Sequence, residues 1–311
     1  MNQHTPLEFG LYTLGDHLMN PENGTKLSYE QRICQIIEMS QLAEQAGLDV
    51  FAVGESHQEH FTTQAHSVVL GAIAQATSSM KISSSSSIIS AADPVRVFED
   101  FATLDLISRG RAELVAGRGS RTGLFELFGL DINDYDALFE EKLDLLMQLN
   151  ANDRITWSGQ FRPDLHNMKI FPRPVDDYLP IWRAVGGRPP SAIKAGKAGI
   201  PMMMTTLGGP AEVFKDAVDA YRQAGEDAGH DMSPESMPLS TASLFYTAKT
   251  SQQALDEYYP HLNVGMSFIR GAGYPKEQFN AATDERDALM VGSPQQIVEK
   301  LSLIHISEPT R

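Results

Sequence analysis

Two periods alternate along this chain. Short apolar runs with the length of buried strands are separated by longer stretches whose apolar residues recur every three or four positions. The runs at 7–14, 48–53, 81–89, 112–116, 180–185, 200–204 and 239–246 predict strands. The periodic stretches at 28–46, 65–78, 94–107, 135–149, 191–198 and 210–228 predict helices. In the first helix, Ile33, Ile36, Ile37, Met39, Leu42 and Ala43 share the helical spacing, and Gly47 suits its C-terminal cap. Asp93 stands at the N-cap of the third, with Pro94 at its first position. Seven strands alternating with helices predict an α/β protein of the (β/α)8 TIM barrel class, one domain over residues 1–301.

Two stretches break the alternation. Residues 157–174 carry aromatics and three prolines, and residues 255–291 carry glycine, aromatics and charge. Both are expected to be insertions, and long insertions on a barrel usually form lids or specificity loops. Residues 293–301 start a capped helix, and only 302–311 follow. That leaves no room for an eighth strand and its helix, so the C-terminus is expected to be truncated or non-native, with 302–311 a non-native tail.

Composition narrows the class. With 42% hydrophobic and 21% charged residues the chain can bury a full core. A net charge of −15 argues against nucleic acid or an anionic membrane as partner. Cys34 is the single cysteine, so neither an internal disulfide nor a cysteine-based metal site can form. With no spanning apolar run and no secretory signal pattern, a soluble cytoplasmic enzyme or ligand binder is expected.

The chemistry concentrates at predicted strand tips, where parallel α/β proteins place their ligands. Residues 93–120 read as helix, basic turn and strand, ending in Gly117-Arg118-Gly119-Ser120. An arginine fork between glycines suits a phosphate better than a neutral ligand. After the second strand come Glu55, Ser56, His57, Glu59 and His60. His57 can serve as general acid/base or substrate-binding group, or as a metal ligand with His60 and Glu55 or Glu59. It can also be a histidine merely hydrogen-bonded in a polar loop. Ser83–Ser87 is an unbroken serine run in a strand pattern. Serine is a poor strand former, so the run either admits a flat ring system or forms a small-residue barrel layer. Gly186, Gly187, Arg188 and Ser191 lead from the fifth strand into a helix whose N-terminus favours an anion. Alternatively, they form an ordinary strand–helix turn.

These landmarks, in this order, resemble the bacterial luciferase-like flavin-dependent monooxygenases. The matching pieces are GESH at 54–57, the small-residue third strand, DPVRVFEDFATLDLISRGRAELVAGRGS at 93–120 and FGLDINDYDALFEEKLDLL at 128–146. PIWRAVGG and VGSPQQIVEKL complete the set. The resemblance implies a barrel, often a homodimer, that takes reduced FMN from a separate flavin reductase. With O2, such an enzyme places one oxygen atom on a small organic substrate. It also implies that Arg118 pairs with the FMN phosphate opposite Gly186, Gly187, Arg188 and Ser191. Ser85–Ser86 would form a cis peptide beneath the flavin ring. Glu55, Ser56 and His57 would form the catalytic set.

Ser56 stands where the luciferases carry the first of two histidines, so light emission is not expected. Asp93 is an alternative polar group. Three other readings remain: an oxidoreductase using the deazaflavin F420, a non-catalytic flavin-binding relative, and a metal-dependent barrel hydrolase built on Glu55, His57 and His60.

Overall fold

A computed structural model describes residues 7–119 and 122–307. It divides into two compact units. The first runs through His17 and from Leu27 to Ala184; the second holds Leu18–Lys26 and continues from Val185.

In the first unit, strands and helices alternate as the periodicity predicts. They are β1 (Gly10–Thr13), α1 (Tyr29–Gln45), β2 (Val50–Val53), α2 (His66–Ala76), β3 (Lys81–Ser84), β4 (Ser87–Ile88), α3 (Pro94–Ser108) and β5 (Ala112–Gly117). Then come α4 (Thr122–Leu127), α5 (Tyr135–Ala151), β6 (Arg154–Trp157), β7 (Leu165–Lys169) and β8 (Ile181–Val185), which ends at the boundary of the unit. The sheet order is β1-β2-β3-β5-β8, all parallel, with β4 also paired to β5. Parallel strands buried on both faces need continuous apolar runs, and Phe51, Val53, Ile82 and Leu114 are fully buried. Outside them, α1 packs on α2, α2 on α3, and α3 on α5. Ser28 caps α1 in a reciprocal box with Gln31, and Asp93 caps α3 by accepting from the Val95 N–H.

Two local features depart from the strand-by-strand expectation. The serine strand is in two pieces, β3 and β4, each paired with β5, and the Ser85–Ser86 peptide between them is cis. The excursion at 157–174 is largely an antiparallel pair: β6 and β7 meet with Arg154 opposite Lys169.

The second unit continues with α6 (Pro189–Lys197), β9 (Met202–Thr205), α7 (Glu212–Asp227), β10 (Leu239–Ala242) and β11 (Phe245–Thr247). It ends with α8 (Ser251–Arg270), α9 (Lys276–Asn280), β12 (Met290–Gly292) and α10 (Pro294–Ser307). β9 pairs with β10, and β11 with β12, both in parallel. Residues 255–291, expected to be an insertion, therefore hold most of a strand–helix–strand unit with its own core. Leu255, Leu262, Met266, Phe279, Leu289 and Val291 form that core. Residues 302–307 continue α10, and 308–311 lie outside the described residues. Among the described residues, no helix is long and apolar enough to cross a membrane.

Candidate active site

The first unit gathers most of the sequence-predicted groups around the tips of β2, β3 and β5. β2 ends at Val53, and the chain then turns through Gly54, Glu55, Ser56 and His57. The Glu55 N–H donates to the Ser86 carbonyl at 3.0 Å, and the Ser85 N–H to Val53 at 3.2 Å. Glycine is required on both sides of this crossing. A Cβ on Gly54 would overlap the Ser85 carbonyl oxygen, and one on Gly117 would stand 2.7 Å from the Ser86 Cβ. Ser84 fills the gap in the ladder: its hydroxyl accepts from the Val115 N–H at 2.9 Å and donates to the Val115 carbonyl at 3.3 Å.

Glu55 is the hub. Its Oε1 accepts from His57 Nε2 at 2.6 Å, and its Oε2 accepts from the Ile88 N–H at 2.6 Å. A carboxylate offers no hydrogen, so His57 must carry its proton on Nε2. Oε2 also lies 3.7 Å from His66 Nδ1. Burial pushes the Glu55 carboxyl up, but the His57 hydrogen bond, the His66 ring and the Ile88 N–H outweigh it and hold it below its ordinary value. Glu55 is thus a buried carboxylate at neutral pH. The edge of Phe128, itself half-exposed, stands against the His57 ring, centroid to centroid 4.9 Å. Ser56 is half-buried between the pair.

Arg118 leaves the tip of β5 and lies over two rings of α5, 5.4 Å from the Tyr135 centroid and 5.7 Å from that of Phe139. Its Nη1 donates to Asp136 Oδ1 at 2.9 Å. That carboxylate is 63% exposed, so the contact is a screened surface pair that an incoming anion can displace. Arg183 lies over Phe139 as well, at 4.9 Å, and its fork is bound to Glu140 at 2.7 and 2.8 Å. The first six residues of α5 thus carry both carboxylates and both rings that hold the two arginines. Ser120 lies outside the described residues.

Gly186, Gly187, Arg188 and Ser191 belong to the second unit. Gly187 has φ +75°, and a Cβ there would meet the Phe214 ring at 2.8 Å. Arg188 is the exposed N-cap of α6, and Ser191 is buried. Pro189 and Pro190 carry no N–H, so the first turn of α6 offers an anion far fewer donors than an ordinary helix.

The metal alternative finds no ligand set. Among the described residues no three histidine, cysteine, aspartate or glutamate side chains are grouped to hold an ion, and His60 pairs with Glu59 at 3.1 Å. The sequence reading does not single out His66, Phe128, Tyr135, Asp136, Phe139 or Arg183 as site residues. The 135–139 spacing, a helix face with two rings and a carboxylate, was the one available signal.

The model of one family, luciferase-like monooxygenase, matches residues 7–307. Among curated relatives, an N-acetyl-S-alkylcysteine monooxygenase of Bacillus subtilis is 29% identical over 64% of this chain and 59% of its own. An F420-dependent glucose-6-phosphate dehydrogenase of Amycolatopsis mediterranei is 26% identical over 62% of this chain and 59% of its own. The matched segment thus spans about 60% of the length of the curated relatives. Among solved structures, the monooxygenase RslO1 of Streptomyces bottropensis superposes with a TM-score of 0.82 at 20% identity, covering 96% of this chain and 88% of the other. The oxygenating constituent of 3,6-diketocamphane monooxygenase from Pseudomonas putida, in complex with FMN, gives 0.72 at 17% identity with the same coverage. These superpositions show the fold, that of a luciferase-like TIM barrel.

Proposed function

The chain belongs to the luciferase-like monooxygenase family, and from that premise we propose that it is a flavin-dependent, non-luminescent monooxygenase. In this reading it uses reduced FMN and O2 to oxygenate a small organic substrate. Family members include both FMN- and F420-dependent oxidoreductases. The observation that carries the proposal is Arg118, a guanidinium seated on two aromatic rings at a strand tip and held there by an exposed carboxylate. An arginine so prepared exchanges a weak surface partner for a phosphate, a stronger bidentate one.

The residues present fit the cofactor. Arg118 would hold its phosphate. Gly54 and Gly117 let Ser85 and Ser86 approach the tips of β2 and β5 closely, at the place proposed to receive the ring. In the second unit, Gly186, Gly187, Arg188 and Ser191 are separately proposed as anion-binding groups. Reduced FMN would supply the electrons that O2 activation needs. His57, anchored by Glu55, would hold or release a proton beside the substrate, with Ser56 as a neighbouring hydroxyl. A separate flavin reductase as source of the reduced cofactor, and a homodimeric assembly, belong to the same proposal.

A second reading, F420 in place of FMN, is favoured by the similarity to an F420-dependent dehydrogenase. Anaerobic titration of the protein with reduced FMN, beside F420 and beside Arg118→Ala, tests both. Saturable binding of reduced FMN, weakened in Arg118→Ala by about 1.5–3 kcal/mol, supports the flavin monooxygenase. Binding of F420 alone replaces it with the deazaflavin reading. A folded protein that binds neither overturns both.

A further inference from the structure

His66 opens α2 and is buried, 7% exposed, yet its ring faces polar groups. Its Nε2 lies 2.6 Å from Ser87 Oγ on β4, and its Nδ1 lies 3.7 Å from Glu55 Oε2. On α3 it faces Phe101, with ring centroids 6.0 Å apart, and the charge of Asp100. Glu55 therefore stands between two imidazoles, His57 at Oε1 and His66 on the side of Oε2.

We infer that His66 is a positioning residue for the Glu55–His57 pair: it turns its Nδ1–H toward Glu55, accepts from the Ser87 hydroxyl at Nε2, and leaves the proton that the two histidines could share on His57. The inference rests on the reading of His57 as the acid/base group.

Electrostatics selects the tautomer. A nitrogen lone pair aimed at a carboxylate is repelled, whereas an N–H is attracted. With the hydrogen on Nδ1, Nε2 presents a lone pair, and the Ser87 hydroxyl is the donor within reach. Burial pushes His66 down, the Glu55 and Asp100 charges pull it up, His57 pushes it down again, and the balance lies below the ordinary histidine value. Two imidazolium ions beside one carboxylate would repel each other, so the pair takes its first proton at one ring. The direct 2.6 Å bond from His57 to Glu55, against 3.7 Å for His66, assigns that proton to His57.

Nitrogen NMR of the histidine rings in the ligand-free full chain, from about pH 5 to 8, reads this without turnover. The expected result is a neutral His66 with its hydrogen on Nδ1 throughout. In His66→Leu the Glu55 carboxyl loses that partner, and its midpoint, followed by carbon NMR of the side chain, should move upward. His66→Asn, whose amide nitrogen can stand near the place of Nδ1, should bring it back. A His66 that titrates, or that carries its hydrogen on Nε2, overturns the inference. So does an unchanged Glu55 midpoint in a folded His66→Leu protein. If His66→Leu does not fold, the wild-type tautomer decides alone. Absence of flavin binding alongside the expected spectra would sink only the proposed function; flavin binding with the opposite spectra would sink only the role of His66.

Discussion

Gly117 lies so close to Ser86 that a methyl group in place of its hydrogen would stand 2.7 Å from the Ser86 Cβ and overlap its hydroxyl. The tip of β5 and the Ser85–Ser86 crossing are therefore matched in shape before any ligand is considered. Gly117→Ala should destabilise the protein by about 1–3 kcal/mol, the usual cost of overpacking. Gly71→Ala in α2, where the added methyl meets nothing within 4 Å, should be neutral or stabilising by up to about 1 kcal/mol. Urea unfolding of both variants checks the contrast; equal effects would show that the crossing yields freely.

Ser84 replaces a missing rung between β3 and β5 with its own hydroxyl. Removing it leaves the buried Val115 N–H without that acceptor. Ser84→Ala should cost about 1–3 kcal/mol in the same assay. A loss below about 0.5 kcal/mol, the low end for a hydrogen bond, would mean that another group takes over.

Asp136 and the expected phosphate compete for Arg118. Asp136→Asn keeps the side-chain shape and removes the charge. It should tighten binding of reduced FMN by up to about 1 kcal/mol, the scale of an exposed ion pair. Weaker binding in that variant would assign Asp136 a supporting role in place of a competing one.

Glu44 on α1 accepts from the Ser78, Ser79 and Met80 N–H groups at 2.7–3.1 Å. Burial is the largest single influence and raises its carboxyl, but these bonds and the Ser79 hydroxyl together outweigh it and lower it from 4.5 to about 2. A carboxyl depressed on folding stabilises above its unfolded value, and that contribution is lost as pH falls through the folded one. Stability from Glu44 should thus be complete above pH 4.5 and fade toward pH 2. Glu44→Gln should flatten the acid side of the stability–pH curve in that window, as followed by thermal unfolding. An identical slope in both proteins would rule the coupling out.

Much of this was legible in the chain. Strand and helix periods placed the elements of the first unit to within a few residues, because parallel strands buried on both faces must be apolar runs. Asp93 and Pro94 announced α3 through the chemistry of an N-cap. Gly54 and Gly117 could be seen as glycines, but the Ser85–Ser86 crossing that requires them could not, since it joins β2, β3 and β5. The stretch at 255–291 reads as an insertion from its glycines, aromatics and charges. Its apolar residues close a local core, a pairing that composition does not report.

The sequence by itself determined the alternation of strands and helices, the Arg118 tip and the Glu55–His57 neighbourhood, all set by local period, spacing and turn chemistry. Only the tertiary structure decided the partners: His66 and the Ile88 N–H for Glu55, Ser87 for His66, and the Tyr135–Phe139 face for Arg118. Those contacts join residues far apart in the chain. Which groups meet there depends on how parallel strands align in register and how helices pack over them, and no local pattern encodes that.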